Sequence, residues 1–135
     1  MHTLRHGFAA ALTALAVTGL ATPASAAPPD SASAQCRLSA DVVVASVDDR
    51  VRGVGSVTCT SRVFQILAGV VLTRDNLEAA RDRTLCRNTA GCRIEVAAAN
   101  PPGLNLWCAV ATGTLQLSPL GPVVDLGSQR VCERG

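Results

Sequence analysis

The sequence predicts an all-β fold, a small antiparallel β-sandwich of immunoglobulin-like or barrel-like form with six or seven strands, stapled by disulfides. Segments rich in β-branched residues recur at regular spacing and are separated by turn residues, which is typical of such folds. The chain of 135 residues also contains six cysteines and begins with an apolar leader. Export through such a leader brings cysteines into an oxidising compartment, where they form disulfides.

The first residues are predicted to be a signal peptide that is removed on export. A basic start with Arg5 precedes the apolar run 8–20, and the small-residue triplet ASA at 24–26 fits a signal-peptidase site. The apolar run is shorter than the roughly 20 residues that cross a bilayer. We therefore expect residues 1–26 to be cleaved and the mature protein to be secreted and extracellular, without stable membrane insertion.

The mature chain is predicted to consist of a flexible leader and one domain. Residues 27–35 are small, polar and proline-bearing, whereas residues 36–135 have the length of a single disulfide-stapled β domain. Loss of Arg5 leaves 11 arginines against 10 carboxylates, a net charge of +1. This near-neutral balance gives no electrostatic reason to expect nucleic acid as a partner. The absence of lysine and tyrosine, with abundant alanine and arginine, is typical of a bacterial genome of high GC content.

The first part of the domain is predicted to be a β-hairpin followed by a central strand. Residues 37–47 are rich in β-branched side chains, and the acidic turn 48–50 separates them from a second strand, 51–60. Residues 63–73 are apolar at nearly every position, which predicts a strand buried on both faces. The second strand alternates, with one face made by Val51, Gly53, Gly55, Val57 and Cys59.

The remainder of the domain is predicted to begin with a short helix and to return to strands. In residues 74–83, Asp75 is followed three residues later by Glu78, a pattern that can cap a helix. A small ring between two cysteines then interrupts the chain. The segments that follow alternate between strand and turn: strand 93–99, turn 100–103, strand 104–117, turn 118–122 and strand 123–133.

The spacing of the last two cysteines predicts that they form a disulfide with each other. Six cysteines allow 15 connectivities in principle. A hairpin that turns near Leu120 places Cys108 opposite Cys132, at a Cβ separation of roughly 4.5–5.5 Å that a disulfide can bridge. The hairpin therefore selects this pair.

The first hairpin predicts a second disulfide of the same kind. A turn near Asp49 brings Cys36 within two or three residues of the position opposite Cys59, a gap that a β-bulge would close. The preferred connectivity is therefore sequential, with the third pair formed by Cys86 and Cys92. The alternative is an immunoglobulin-like bridge between sheets, Cys59–Cys108 beside Trp107, with Cys36–Cys132 joining the ends.

The composition excludes most catalytic chemistry. The only histidines, His2 and His6, lie in the predicted signal peptide, and the chain has no lysine or tyrosine. Histidine- and lysine-dependent nucleophiles are therefore absent from the mature chain, and the acidic residues lie in predicted turns or singly on strands. Neither the C-x5-C spacing nor the compartment suits zinc or dithiol redox chemistry. We expect a non-enzymatic protein without cofactor or metal.

The cysteine ring and the arginines around it are the candidate recognition site. A loop closed by a disulfide loses little conformational entropy when a partner binds it. We therefore predict a binding protein that recognises another macromolecule, foremost a secreted or surface protein, through loops or a sheet edge. The candidate partner-binding residues are Arg83, Arg87, Asn88 and Arg93.

Two alternatives for this function stay open at this point. In the first, the protein is a serine-protease inhibitor that presents the Cys86–Cys92 loop, with Arg87 entering an acidic specificity pocket. In the second, it is an adaptor subunit of a secreted multiprotein assembly that binds through a sheet edge or through residues 27–35. The oligomeric state is left open.

Overall fold

Five antiparallel strands form one curled sheet in the computed structural model, which describes residues 34–135. The strands are β1 (Cys36–Val44), β2 (Arg50–Arg74), β3 (Leu77–Ala99), β4 (Leu106–Gln116) and β5 (Val123–Arg134), and residues 34–135 contain no helix. The predicted all-β class is therefore confirmed. The predicted signal peptide and most of the predicted leader lie outside the described residues.

The long strand β2 organises the sheet. Strand β3 pairs with β2 along nearly its whole length, while β1 and β4 share the other side of β2 and β5 continues beyond β4. Strand β1 pairs with residues 51–59 in the first half of β2, and β4 pairs with residues 65–74 in its second half. The sheet curls into a half-barrel, so that its inner face encloses the core.

The prediction of a sandwich with six or seven strands is wrong. The segments 51–60 and 63–73 are one continuous strand, β2, and the segment 93–99 is the end of β3. The register shift between Thr58 and Val63 bends β2 without ending it. Because a bulge adds residues to one strand and increases the local twist, the chain turns a corner while the ladder to β3 resumes beyond it.

The helix predicted over residues 74–83 is a hairpin turn between β2 and β3 instead. Arg74 pairs with Leu77, and the two residues between them, Asp75 and Asn76, have φ values of 49° and 67°. Two positive φ values in a two-residue loop are the signature of the type I′ turn, which asparagine and aspartate tolerate. The apparent helix cap at Asp75 is therefore a turn signal.

The core lies on the inner face and depends on close approach between the two halves of β2. The predicted inner face of the first half is confirmed, since Val51, Val57 and Cys59 are buried. A Cβ atom added to Gly53 would lie 3.3 Å from Leu72 Cβ.

Strand β2 is buried on one face of its second half, not on both as predicted. Its buried residues there are Ile66, Ala68, Val70 and Leu72.

The three disulfides are those that the cysteine spacing predicts. They join Cys36 to Cys59, Cys86 to Cys92 and Cys108 to Cys132, with Cα separations of 4.0, 5.8 and 4.0 Å. The first and third pairs are directly opposite in their ladders, so the first hairpin needs no bulge. The immunoglobulin-like alternative, Cys59–Cys108, is wrong because these residues belong to separate hairpins.

The buried Trp107 closes one end of the core. Its side chain is fully buried, and its indole Nε1–H donates to Asn100 Oδ1 at 3.1 Å. Nearby, Asn105 and Gly135 exchange two backbone hydrogen bonds, which hold the C-terminal residue against the 100–105 loop. No helix within residues 34–135 is long and apolar enough to cross a membrane.

Candidate partner-binding surface

The predicted recognition ring is part of strand β3 and does not project as a separate loop. Cys86 pairs with Ile66 and Cys92 pairs with Val57, so both ring cysteines belong to the ladder with β2. Within the ring, Asn88 has a φ of 49°, a left-handed conformation that asparagine adopts more readily than most residues. The ring therefore lies at the corner of the sheet, facing the bend in β2.

The structure divides the predicted partner-binding residues between the two sides of this corner. Arg83 and Arg87 lie four residues apart on a regular part of β3, so their side chains project from the same outer face. Asn88 follows within the ring, between the paired residues Arg87 and Thr89. Arg93 lies beyond the corner, where its guanidinium is 3.5 Å from Glu95. Of the four predicted partner-binding residues, two are therefore neighbours on one face of the sheet, Arg83 and Arg87.

An exposed apolar pair lies between these two arginines, and sequence reasoning missed it. Leu85 is 45% exposed and is directly opposite Leu67 of β2, which is 38% exposed. The signal was present in the alternation of the segment RDRTLCR, which puts Arg83, Leu85 and Arg87 on one face of a strand. Because residues 74–83 were predicted to be a helix, the alternation was not recognised as a strand pattern.

The two arginines carry positive charge that no described carboxylate neutralises. Their neighbour Arg81 forms an ion pair with Glu78, and its hydrogen bond lowers the pKa of that carboxyl below the ordinary value. Within residues 34–135, neither Arg83 nor Arg87 forms an ion pair. Both side chains are exposed, so their guanidinium groups are available to a carboxylate from outside the chain.

A shallow groove of about 470 Å³ adjoins Arg83 on the outer face. Its floor includes Gly69, which pairs with Arg83 on one side and with Thr112 on the other. A Cβ atom at Gly69 would lie 2.8 Å from Thr112 Oγ1, so a side chain there would fill the floor. The far wall carries Asp125 and Ser128 from β5. The charged side chains in its lining are Arg83 and Asp125, so the groove has a single carboxylate.

The backbone of β3 is open on the side that faces away from β2. In the described part of the chain, β3 pairs with β2 alone. The Arg83 N–H donates to Asp82 Oδ1 at 2.8 Å and not to the β2 ladder. Because backbone groups alternate in direction along a strand, Leu85 and Arg87 also turn their N–H and C=O groups outward. We call the outward backbone of Arg83, Leu85 and Arg87 the β3 border.

The hydrogen bonds of β2 agree with an outward direction of the backbone groups of Arg83. Asp75 N–H donates to Leu106 O, and alternation along the unbroken register 65–74 places Gly69 in hydrogen bonds with β4. Just beyond this register the Phe64 N–H donates to Leu117 O, so the alternation does not continue past Gln65. Because Gly69 is bonded to β4, it leaves Arg83 without a ladder bond. Another strand with an open side, β1, has an equivalent cap, because the Val42 N–H donates to Asp41 Oδ1 at 2.9 Å.

The described residues offer no candidate metal centre. Residues 34–135 contain no group of three or more histidine, cysteine, aspartate or glutamate side chains that would hold a metal ion. Comparison with known proteins adds no candidate: no protein-family model matches the chain, and no curated protein is significantly similar to it. The β3 border and the outer face beside it are therefore the surface on which a functional argument rests.

Proposed function

We propose that this protein is an exported, non-enzymatic binding domain that recognises another protein through the β3 border and the adjoining outer face. The observation that carries the proposal is the coincidence of three features on one stretch of β3. Its outward backbone is unpaired, its arginines at 83 and 87 have no ion-pair partner among the described residues, and Leu85 is exposed between them. Partner proteins commonly bind such an edge by adding a strand.

Export is supported by the disulfides. Three disulfides in a small β domain are compatible with an extracellular protein, because such bonds persist in oxidising compartments. The apolar leader and the signal-peptidase triplet at 24–26 support the same proposal.

A binding role also suits the chemistry of the surface better than catalysis does. The outer-face groove contains Arg83 and Asp125, and the rest of its lining is glycine, leucine, serine and threonine. Acid–base catalysis on a glycosidic bond uses two carboxyl groups that flank the scissile bond. A single carboxylate beside a guanidinium provides recognition of polar and charged groups instead.

The alternative of a serine-protease inhibitor receives less support from this geometry. A loop that presents Arg87 to a protease pocket would have to project from the domain, whereas the Cys86–Cys92 ring continues strand β3. The alternative of an adaptor subunit uses the β3 border in the same way as the proposed binding domain, and differs only in the size of the partner complex.

The test is affinity capture from the culture medium of the producing bacterium, with the exported form of the protein as bait. Two double variants that remove equal charge are compared: Arg83→Gln with Arg87→Gln, and Arg37→Gln with Arg134→Gln as the control on β1 and β5. All four arginines are exposed. We expect the wild type and the control to recover the same secreted protein, and the first variant to recover at least about fivefold less. Equal recovery by both variants contradicts the proposal.

A further inference from the structure

We infer that the partner segment is an extended strand with the side-chain pattern acidic–x–apolar–x–acidic, which adds to the β3 border. This inference rests on the proposed function and specifies the chemistry of the partner. It follows from the register of Arg83, Leu85 and Arg87, from the direction of their backbone groups and from their charge.

The register fixes the spacing of the partner residues. Side chains on one face of a strand repeat every two residues, at about 6.6–6.8 Å. Arg83, Leu85 and Arg87 follow this repeat on a regular part of β3. A strand added beside them repeats at the same distance, and its directly opposite side chains lie roughly 4.5–5.5 Å away between Cβ atoms. Positions i, i+2 and i+4 of the partner therefore face the two arginines and the leucine.

The charge and polarity of each position fix the chemistry. A carboxylate opposite Arg83 and another opposite Arg87 form charge-assisted hydrogen bonds with guanidinium groups that have no ion pair within residues 34–135. An apolar side chain between them covers Leu85, which is exposed beside Leu67. The pattern reads the same in both chain directions, so it applies to a parallel or an antiparallel strand.

A second copy of this chain does not fit the border. Two β3 strands paired around a two-fold axis at Leu85 would place Arg83 of each copy opposite Arg87 of the other. Like charges directly opposite each other destabilise a strand pair. The arrangement of charges therefore favours an acidic partner over self-association.

Asp82 makes the border selective. Its carboxylate occupies the Arg83 N–H, so an added strand has to displace it before the main-chain ladder is complete. A neutral strand gains only main-chain bonds in exchange. A strand with two carboxylates also gains two ion pairs, which favour its addition over that of neutral segments.

The first experiment measures the binding of labelled peptides to the exported protein by fluorescence anisotropy at low salt. The core sequences are Asp-Thr-Val-Thr-Asp, its neutral counterpart Asn-Thr-Val-Thr-Asn, and a rearranged peptide, Asp-Asp-Thr-Val-Thr, that keeps the charge and loses the spacing. We expect the first peptide to bind at least about tenfold more tightly than the other two. Arg83→Gln and Arg87→Gln should each weaken it about fivefold, and Arg37→Gln should leave it unchanged.

The second experiment locates the peptide by amide hydrogen exchange. By the alternation of backbone groups, the amides of Thr84 and Cys86 face β2 and should exchange slowly without peptide, whereas those of Leu85 and Arg87 face outward and should exchange fast. Strand addition should slow the Leu85 and Arg87 amides by at least about tenfold in the presence of saturating Asp-Thr-Val-Thr-Asp peptide.

The outcomes separate this inference from the proposed function. Equal affinity for the three peptides, or unchanged exchange at Leu85 and Arg87, overturns the inference. If captured protein still depends on Arg83 and Arg87 in that case, the binding function stands and its partner uses another geometry. Conversely, pattern-dependent peptide binding upholds the inference, while capture that is indifferent to these arginines overturns the proposed function.

Discussion

The two halves of β2 line the same core with different side chains. The first half contributes Gly53 and Gly55 to the inner face, whereas the second half contributes larger residues such as Ile66 and Leu72. The Gly55 position lies so close to the second half that an added Cβ would be 3.0 Å from the Gly69 carbonyl oxygen. One strand can therefore form both walls of a half-barrel when glycines lie where the two walls approach most closely.

The outer faces of the two halves differ in the way their charges are used. Around the first half, Arg52 contacts both Asp48 and Glu95, and Arg93 also contacts Glu95. Beside the second half, Arg83 lies next to exposed leucines without such a partner. These ion pairs around the first half have no counterpart at Arg83 or Arg87 among the described residues. This difference is the reason why the proposed binding surface lies on the second half.

The disulfides give the largest expected effects, and the one at the corner between the halves tests the comparison directly. The double variant Cys86→Ala with Cys92→Ala should reduce the free energy of unfolding by about 2.4 kcal/mol, from the loop entropy of a seven-residue ring. The measurement is equilibrium urea unfolding. As a reference, Cys36→Ala with Cys59→Ala should cost about 3.5 kcal/mol, since its loop is longer. A cost below roughly 0.5 kcal/mol for the ring would show that packing alone fixes the corner.

The close approach of the halves gives the next effect. Gly55→Ala should reduce the free energy of unfolding by about 2 kcal/mol, because its Cβ meets backbone that cannot move aside without shifting the second half. The control is Gly91→Ala, where the nearest atom to the added Cβ is 3.8 Å away, and a change within about 0.5 kcal/mol is expected. Equal unfolding curves for both variants would contradict the role assigned to glycine in the first half.

The smallest effect concerns the ion pair at the start of β3. The pKa of Glu78 is lowered from its ordinary value of 4.5 by its hydrogen bond to Arg81. A lowered pKa gives stability that is present above the ordinary value and is lost as the pH falls through the lowered one. Thermal denaturation should therefore show a small advantage of the wild type over Glu78→Gln at neutral pH, which disappears at an acid pH below the lowered pKa.

The same pair provides an internal control. In the background of Arg81→Gln, the change Glu78→Gln should leave the melting temperature unaffected at both pH values, because the partner of the carboxylate is gone. A difference that persists at acid pH, or in this background, would mean that Glu78 acts through something other than its charge.

The disulfides and the hairpins were predictable from sequence because covalent geometry is restrictive. Cys108 and Cys132 are placed opposite each other by the turn between them, and little freedom remains. The continuity of β2 was not predictable in the same way. Polar residues near Arg62 resemble the end of a strand, and only the ladder with β3 shows that the chain passes through a bulge there.

The candidate site was predictable from the sequence only in part. Arg83 and Arg87 were identified by their position near the ring, which is a property of the sequence alone. Their relation to Leu85 required knowing that residues 77–87 are a strand, and Asp75 and Asn76 resemble a helix start as readily as a turn. Local patterns give the type of residue, whereas the long-range ladder decides which residues share a face.

The carboxylates of Asp41 and Asp82 bear on edge-to-edge association of the sheet. Each accepts a hydrogen bond from the amide of the residue that follows it, on a strand that is open on one side. A strand edge with free N–H and C=O groups is a template for pairing with another chain. An occupied amide on β1 and on β3 makes each edge a poorer template for fibril growth than a bare strand.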